Sequence, residues 1–353
     1  MAFCNAEFFL GATGENGFVN RFADVYNNSA DWRVYIIKGG AGCGKSTFMK
    51  RLADSCDCAI LCRCSSDPQS LDAVILPDKK VMIADGTAPH ILEPKYAGMC
   101  ERIVNFFDIL DSEMLYKNRN QIREIYKENA QFHKQAKTYI SCAGAFLRSR
   151  FETATSEIDN AKCRKFASSI AKKYIKKKGE SEKIYNIYLE AVTPDGWVCF
   201  NKTPNAFCEN VITIADDFGA VADAIIRQLL SIAKANNHTV FACYNPILPD
   251  VLRGIILPEC NFAVVCTDFL SNSFLATKKV HFKRFYKDTK VLTNEQMKFC
   301  KKSAKFMISN AEKELRSAKL SHDRLEKYYI SVADFPKTDD IFKKVLTEIE
   351  NIE

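Results

Sequence analysis

The stretch GGAGCGKST at residues 39–47 constrains the fold of this chain more than any other. It follows an apolar, β-branched run at 33–38, which is typical of a buried strand. It precedes Phe48, Met49 and Leu52, whose spacing is typical of one helix face. Strand, glycine loop and helix in this order satisfy the phosphate-binding pattern G-x-x-x-x-G-K-[S/T]. The sequence therefore predicts an α/β fold with a parallel sheet flanked by helices.

The residue types in this loop suit a nucleotide. Glycines let successive N–H groups point at a phosphate, and the positive end of the following helix faces the same charge. Lys45 is then placed to reach the β- and γ-phosphates, and the Ser46 hydroxyl to bind Mg²⁺. We therefore predict binding of ATP with Mg²⁺. The predicted nucleotide-binding residues are Gly39, Gly40, Ala41, Gly42, Cys43, Gly44, Lys45, Ser46 and Thr47.

A second acid is expected beside such a loop, at the end of a neighbouring buried strand. The apolar run 81–84 ends at Asp85, which we predict to hold the metal together with Ser46; the alternative is an exposed turn aspartate. His90 follows and is predicted to sense the γ-phosphate or orient water, although a histidine after proline is also typical of a simple turn. Lys45, Asp85 and His90 are thus the predicted catalytic residues.

Two further pairs of side chains are weaker candidates. Asp67 and Asp72 lie between the two predicted strands and could contact substrate or water. Arg63 and Arg253 are candidates for an arginine finger, but an exposed arginine is the ordinary interpretation of each.

The chain repeats itself. LGATGENGFV at 10–19 is matched by LEAVTPDGWV at 189–198, and the glycine loop with its helix follows in register. The segment 67–85 then aligns with 248–266. Three matched blocks in the same order favour a duplication over coincidence.

The repeat predicts two tandem domains, at 1–183 and 184–353. Each half ends in residues with helical periodicity, so we expect a long helical hairpin extension in each domain. The second extension starts at a predicted capping box at 293–296. His133 and His322 are interpreted as helix-packing residues.

The second copy of the loop, DDFGAVADAIIRQL at 216–229, has lost its chemistry. In the register of the repeat Lys45 becomes Ala222, Gly39 becomes Asp216, and Gly219 alone keeps a loop glycine. Aspartates would repel a polyphosphate. The apolar helix positions survive, so the second half is expected to fold as a pseudo-NTPase domain that binds no nucleotide.

Composition and charge limit the setting and the partners. The 15 cysteines are scattered and no signal peptide is evident, so we expect a cytoplasmic protein with reduced thiols. No apolar run approaches the roughly 18 residues of a membrane span. The cysteines of 56–64 alternate as one strand face would, with a metal site as the alternative.

The net charge of +7 is concentrated in two basic stretches, 172–178 and 278–287. The second stretch mixes aromatic residues with cations, as single-stranded nucleic-acid surfaces do. A solvated helix face and an amphipathic strand are the favoured interpretation, and an anionic or protein partner is the alternative.

The motifs GATGENGF, GGAGCGKST, SSDPQSLDAVILP and DGTAPH of the first half resemble those of a family of bacterial tandem P-loop ATPases, mostly from Firmicutes. The resemblance covers nearly the whole chain and implies two P-loop NTPase-like domains. This chain differs in its second loop, because members of that family usually keep both loops intact.

Three functions fit these observations. The first is a Mg²⁺-dependent ATPase with one functional site in the first half, which the resemblance favours. The second is a kinase for a small acceptor, with Asp67 or Asp72 positioning the hydroxyl. The third is a nucleotide-dependent switch or scaffold whose helical hairpins bind a partner. The loop alone binds phosphates in all three.

Overall fold

A computed structural model describes residues 6–26, 31–88, 91–176, 179, 182–271 and 274–352. The chain is an α/β protein with two six-stranded sheets flanked by helices. The first half contains β1 Glu7–Phe9, β2 Gly11–Gly14, β3 Gly17–Asn20, α1 Phe22–Tyr26, β4 Arg33–Lys38, α2 Lys45–Asp54, β5 Ile60–Arg63, β6 Leu71–Leu76, β7 Val81–Asp85, β8 Glu101–Asn105, α3 Ser112–Lys117, α4 Arg119–Ser156 and α5 Asn160–Tyr174.

The second half repeats this order of elements. It contains β9 Lys183–Ile187, β10 Glu190–Thr193, β11 Gly196–Cys199, α6 Thr203–Phe207, β12 Asn210–Ala215, α7 Ala220–Ala235, β13 Thr239–Tyr244, β14 Leu252–Leu257, β15 Phe262–Thr267, β16 Lys278–His281, α8 Glu295–Ile330 and α9 Pro336–Glu350. Short 3₁₀ turns lie at Phe107–Ile109, Pro258–Cys260, Phe282–Phe285 and Val291–Thr293.

The two sheets have the same strand order and the same strand directions. The first runs β1-β5-β6-β7-β4-β8, and the second runs β9-β13-β14-β15-β12-β16. Even the irregularity of pairing recurs, after Cys62 in β5 and after Cys243 in β13. The hairpins β2–β3 and β10–β11 also match, with Gly17 and Gly196 both at positive φ. The fold is therefore repeated, as the sequence blocks are.

The expectation of a parallel sheet is wrong, because both sheets are mixed. Strand β6 is antiparallel to β5 and β7, and β14 is antiparallel to β13 and β15. Residues 64–70 and 77–80 connect β5, β6 and β7. Connections this short allow only hairpins, since a parallel crossover needs roughly a dozen residues or more.

The sheets pack face to face on a common core that contains Phe8 and Ile36 of the first half and Phe241 and Val265 of the second. The outer face of each sheet is covered by a helix that belongs, in the sequence, to the other half of the chain. Helix α5 packs with α7 on the second sheet, while α9 packs with α2 on the first. All strands of the first sheet precede those of the second in the chain, but each sheet receives a covering helix from the other half.

The long helices α4 and α8 pair with each other across the two halves, and do not form the hairpin that was expected within each half. The pair is antiparallel: the hydroxyls of Tyr126 and Tyr329 lie 3.2 Å apart near one end, and the Arg150 guanidinium donates to the Met297 carbonyl (2.5 Å) near the other. Helices of this length span about 55 Å. Small and branched side chains fill the interface between α4 and α8, and this packing explains why the two helices pair with each other.

Two details of the helices and thiols follow from local chemistry. The N-cap of α8 is Asn294, whose side chain accepts from the Met297 N–H, so the capping box expected at Thr293 is one residue early.

The described cysteines are free thiols, and Cys58 and Cys62 are buried around β5. Among the helices in the described part of the chain, none is long and apolar enough to cross a membrane.

Candidate functional site

The segment Gly39–Gly44, here called the glycine loop, connects β4 to α2. Gly42 and Gly44 have φ values of 62° and 89°, which side chains rarely adopt. Gly44 is also the N-cap of α2 and has no side chain with which to cap that helix end. Gly39 stands where the second half has Asp216, so no carboxylate from that position accepts from the N–H groups at the positive end of α2.

Lys45 bends back over this loop. Its Nζ donates to the carbonyl of Gly40 (2.7 Å) and to that of Gly39 (3.2 Å), and lies 3.6 Å from Asp85 Oδ2. The Lys45 and Asp85 side chains are 12% and 16% exposed. A cation and a carboxylate from two adjacent strand ends therefore meet at one point beside the loop.

Asp85 and Ser46 are each fixed by a second contact. Asp85 ends β7, which runs parallel to β4, and its Oδ1 accepts from the N–H (2.9 Å) and hydroxyl (2.5 Å) of Thr87. Ser46 Oγ accepts from the Leu71 N–H (3.0 Å). A hydroxyl oxygen that accepts one N–H keeps a lone pair, and Mg²⁺ prefers oxygen ligands. These two side chains are chemically suited to hold it.

The other predicted site residues lie as follows. Cys43 is buried, its thiol donates to the Gly40 carbonyl (3.0 Å), and burial raises its pKa, so only its main chain can face a ligand. Thr47 is exposed on α2. His90 lies outside the described residues.

Helix α8, from the second half, covers the glycine loop. A Cβ placed on Gly40 would lie 2.5 Å from the ring of Tyr329, and one on Gly42 would lie 3.0 Å from both Glu326 and Ile330. Two of the loop glycines are therefore required by helix packing as well. The contact was missed from sequence because it joins residues nearly 290 positions apart, and no local pattern signals it.

The same face of α8 continues toward the loop that follows β5. Lys319 Nζ lies 3.4 Å from Asp67 Oδ2 and 2.6 Å from Asp323 Oδ1. His322, Asp323 and Glu326 form the group of side chains within the described residues that could hold a metal ion, with ligand atoms within 4.8 Å of one another. Because Lys319 already neutralises Asp323, this group is a poorer cation site than Ser46 and Asp85.

The histidines of the long helices fit a packing role. His133 is half-buried, and its pKa is lowered by burial and, to a lesser extent, by His322 across the helix pair. Loss of charge on burial is the ordinary behaviour of an interhelical histidine.

The equivalent segment Asp216–Gly219, here called the second loop, is closed by its own side chain. Asp216 is fully buried, and its Oδ2 accepts from the N–H groups of Val221 (2.8 Å) and Ala222 (3.1 Å), while Oδ1 accepts from that of Phe218 (3.1 Å). Burial raises the Asp216 pKa to about 6, although these three donors oppose the shift. An internal carboxylate thus fills the N-terminus of α7.

The other two aspartates, one in the second loop and one in the first turn of α7, also have hydrogen-bonding or ionic partners. Asp217 Oδ2 lies 2.7 Å from Lys301 Nζ of α8. Asp223 Oδ1 accepts from the Leu252 N–H (2.7 Å), which is the contact that Ser46 makes with Leu71 in the first half. The register used to compare the two loops therefore holds for the helix that follows them.

Neither candidate arginine points into the glycine loop. Arg253 is buried between Asp268 (2.6 Å) and Glu190 (3.1 Å), and Arg63 binds Glu7 (2.5 Å). Asp72 is buried as well and raises the pKa of the neighbouring Cys64, in addition to the larger effect of burial. Arg253 and Asp72 are therefore interior residues, and Arg63 is held in an ion pair.

Two cavities lie away from the glycine loop. One of about 260 Å³ is lined by Arg33 and Tyr35 at the start of β4, whereas the loop follows the end of that strand. The other, of about 250 Å³, lies between the two halves and is lined by Phe8, Trp32 and Phe241. The chemistry of the loop, and not cavity size, identifies the site.

The comparisons with known proteins give no neighbour. No protein-family model matches the chain, no curated protein matches it, and no solved structure matches it.

Proposed function

We propose that this chain binds ATP with Mg²⁺ at the glycine loop and hydrolyses it, as a P-loop NTPase with one functional site. The observation that carries the proposal is the meeting of Lys45, Ser46 and Asp85 beside a glycine loop that has Gly39 where the second half has Asp216. The three side chains supply a cation for phosphates and two oxygen ligands for a metal.

Each residue has a distinct part in this proposal. Lys45 would exchange its bonds to the loop carbonyls for phosphate oxygens, and the N–H groups at the start of α2 would bind the same anion. Ser46 and Asp85 would hold Mg²⁺, which supplies charge neutralisation for phosphoryl transfer when bound. The tandem P-loop classification, the ATPase activity and a role of His90 belong to this proposal.

The second half is proposed to bind no nucleotide. Asp216 already occupies the N–H groups that a phosphate would need, and Ala222 stands where the first half has Lys45. A polyphosphate would have to displace a buried, hydrogen-bonded carboxylate and approach Asp217 as well. This half would then support the first site through α8.

A nucleotide-dependent switch is the second candidate. The contact of Tyr329 and Glu326 with the loop glycines favours it, because ligand binding at the loop would press on α8. The kinase alternative has less support, since Asp67 is paired with Lys319 and Asp72 is buried.

Isothermal titration with ATP and Mg²⁺ tests the proposal. We expect one ATP per chain, and at least about a tenfold loss of affinity in Lys45→Ala, because a charge-assisted hydrogen bond is removed. Lys50→Ala, an exposed lysine on the same helix, is the matched control and should bind as the wild type does. Unchanged affinity in a folded Lys45→Ala protein would contradict the proposal.

A further inference from the structure

The helices that cover the outer faces of the two sheets differ sharply in charge. Helix α5, on the second sheet, contains five cationic residues and no acidic one. Helix α9, its counterpart on the first sheet, contains three cationic and four acidic residues. The two helices have the same length and the same packing task, so the difference is not required by the fold.

The edge strands show the same asymmetry. On the second sheet β16 and the 3₁₀ turn after it place Lys278, Lys279, Lys283 and Arg284 in solvent, without an acidic residue. On the first sheet, β8 and the turn Phe107–Ile109 carry two acidic residues and one cation. Both differences therefore fall on the second sheet and the helix that covers it.

Direct contacts join the helix and the turn that carry these cations. The rings of Phe166 in α5 and Phe285 in the turn lie 5.3 Å apart, and the Arg284 guanidinium lies 5.0 Å from the Phe166 ring centre. The Asp159 N–H donates to the Phe285 carbonyl (2.8 Å). We call the exposed cations of this surface the basic face: Lys162, Arg164, Lys165, Lys172, Lys173, Lys176, Lys278, Lys279, Lys283, Arg284 and Lys287.

Apart from Lys162, the cations of the basic face have no ion-pair partner among the described residues. Lys162 pairs with Asp159 at 3.2 Å. Like charges held together on a surface repel, and they create a positive potential that attracts a polyanion. Lys177 and Lys178, in the same basic stretch of the sequence, lie outside the described residues.

We propose that the basic face binds the phosphate backbone of a double-stranded nucleic acid. Phosphates supply closely spaced negative charges along a rigid rod, which suits exposed cations on several adjacent elements. Phe285 and Tyr286 are 3% and 5% exposed, and the half-buried Phe282 packs its ring against Phe218 and Tyr286, so the rings of the basic segment offer no open platform on which single-stranded bases could stack. Val280, beside the lysines of β16, is also buried and would not enter a lipid interface.

The proposal does not depend on ATP binding, because the basic face lies around the second sheet, whereas the glycine loop follows a strand of the first sheet. The test is fluorescence anisotropy with a labelled 25-base-pair duplex of arbitrary sequence, at several salt concentrations. We expect salt-dependent binding, and a loss of about tenfold or more in the double variant Lys172→Glu/Lys173→Glu, as expected when phosphate contacts are lost. Lys45→Ala should bind the duplex as the wild type does.

The matched control is Lys343→Glu/Lys344→Glu, an adjacent pair of exposed lysines on α9, the counterpart of α5. It should change duplex affinity less than twofold. Equal losses in the two double variants, or no binding to duplex at low salt, would overturn the proposal. So would tighter binding to a single strand of the same length, or binding confined to vesicles of phosphatidylserine and phosphatidylcholine. Circular dichroism should show that both variants are folded.

Discussion

The glycine loop and the second loop join equivalent strands to equivalent helices, yet their helix ends are treated in opposite ways. In the first half Gly39 stands at the position of Asp216 and supplies no carboxylate to α2, and Lys45 contacts carbonyls of its own loop and Asp85. In the second half Asp216 accepts three N–H groups from inside the protein. A helix N-terminus attracts an anion in either case. The difference is whether the protein supplies that anion itself.

This comparison also separates stability from binding. A satisfied, buried helix end favours the folded state, whereas an end without an acceptor side chain keeps its donors for a ligand. The second loop has therefore become a structural element, while its helix keeps the buried positions Ile225, Ile226 and Leu229. The first loop keeps the features of a binding site.

The largest expected effect concerns the acid beside the first loop. Asp85→Asn should lower Mg²⁺-dependent ATP turnover about 100-fold or more, because the metal loses a negative ligand while the loop N–H groups survive. Steady-state phosphate release, with titration of ATP binding in parallel, measures both quantities. Asp78→Asn, an exposed-turn acid, is the control. Turnover at the wild-type rate in Asp85→Asn would show that another carboxylate holds the metal.

The second prediction breaks the internal cap. Asp216→Ala should lower the free energy of unfolding by about 2–3 kcal/mol, because three buried N–H groups lose their acceptor. Asp217→Ala removes the adjacent, more exposed partner of Lys301 and should cost less than about 1 kcal/mol. Urea unfolding measures both. Similar costs for the two variants would show that Asp216 is not the structural counterpart of a bound anion.

The raised pKa of Asp216 should make the free energy of unfolding depend on pH. Since its folded pKa is raised to about 6 from an ordinary 3.8, the folded state binds more protons than the unfolded state between these values. The free energy of unfolding should therefore fall as the pH rises from 4 to 6, by at most about 3 kcal/mol from this group. The decline should be absent from Asp216→Asn. A wild-type and a variant profile that are parallel would contradict the assignment.

The smallest expected effect concerns the cover of the first loop. Tyr329→Ala should raise the association rate of ATP about two- to fivefold, because the ring over Gly40 is removed and lid-type contacts limit access to a site. Stopped-flow fluorescence with a labelled nucleotide measures the rate. Tyr328→Ala, the adjacent residue on α8, is the control. An unchanged or slower rate in Tyr329→Ala would show that α8 does not restrict entry.

Much of the site could be predicted from sequence, because strand, loop and helix are adjacent in the chain. The pattern around Gly39–Ser46 fixed which residues would share a loop, and the position of Asp85 followed from the end of an apolar run. The mixed direction of the sheets also has a sequence signal, because the connections at 64–70 and 77–80 are too short for a parallel crossover.

The parts that could not be predicted depend on contacts between distant segments. The cover of Gly40 by Tyr329 and the pairing of α4 with α8 need the three-dimensional fold. The role of Asp216 was also hidden, because its sequence suggested a charge facing solvent or ligand, whereas the loop geometry turns the carboxylate inward onto N–H groups. Charge alone does not tell in which direction a side chain points.

The exchange of α5 and α9 affects the synthesis of the chain. The outer face of the first sheet receives Val345 and Ile349 from α9, which is synthesised after every strand of both sheets. Until then Ile37 and Ile83 of that sheet lack part of their cover, so the first half cannot finish folding as soon as it is translated. Nascent first halves would expose apolar surface while the second half is made, and a chain truncated before α9 should aggregate or recruit chaperones.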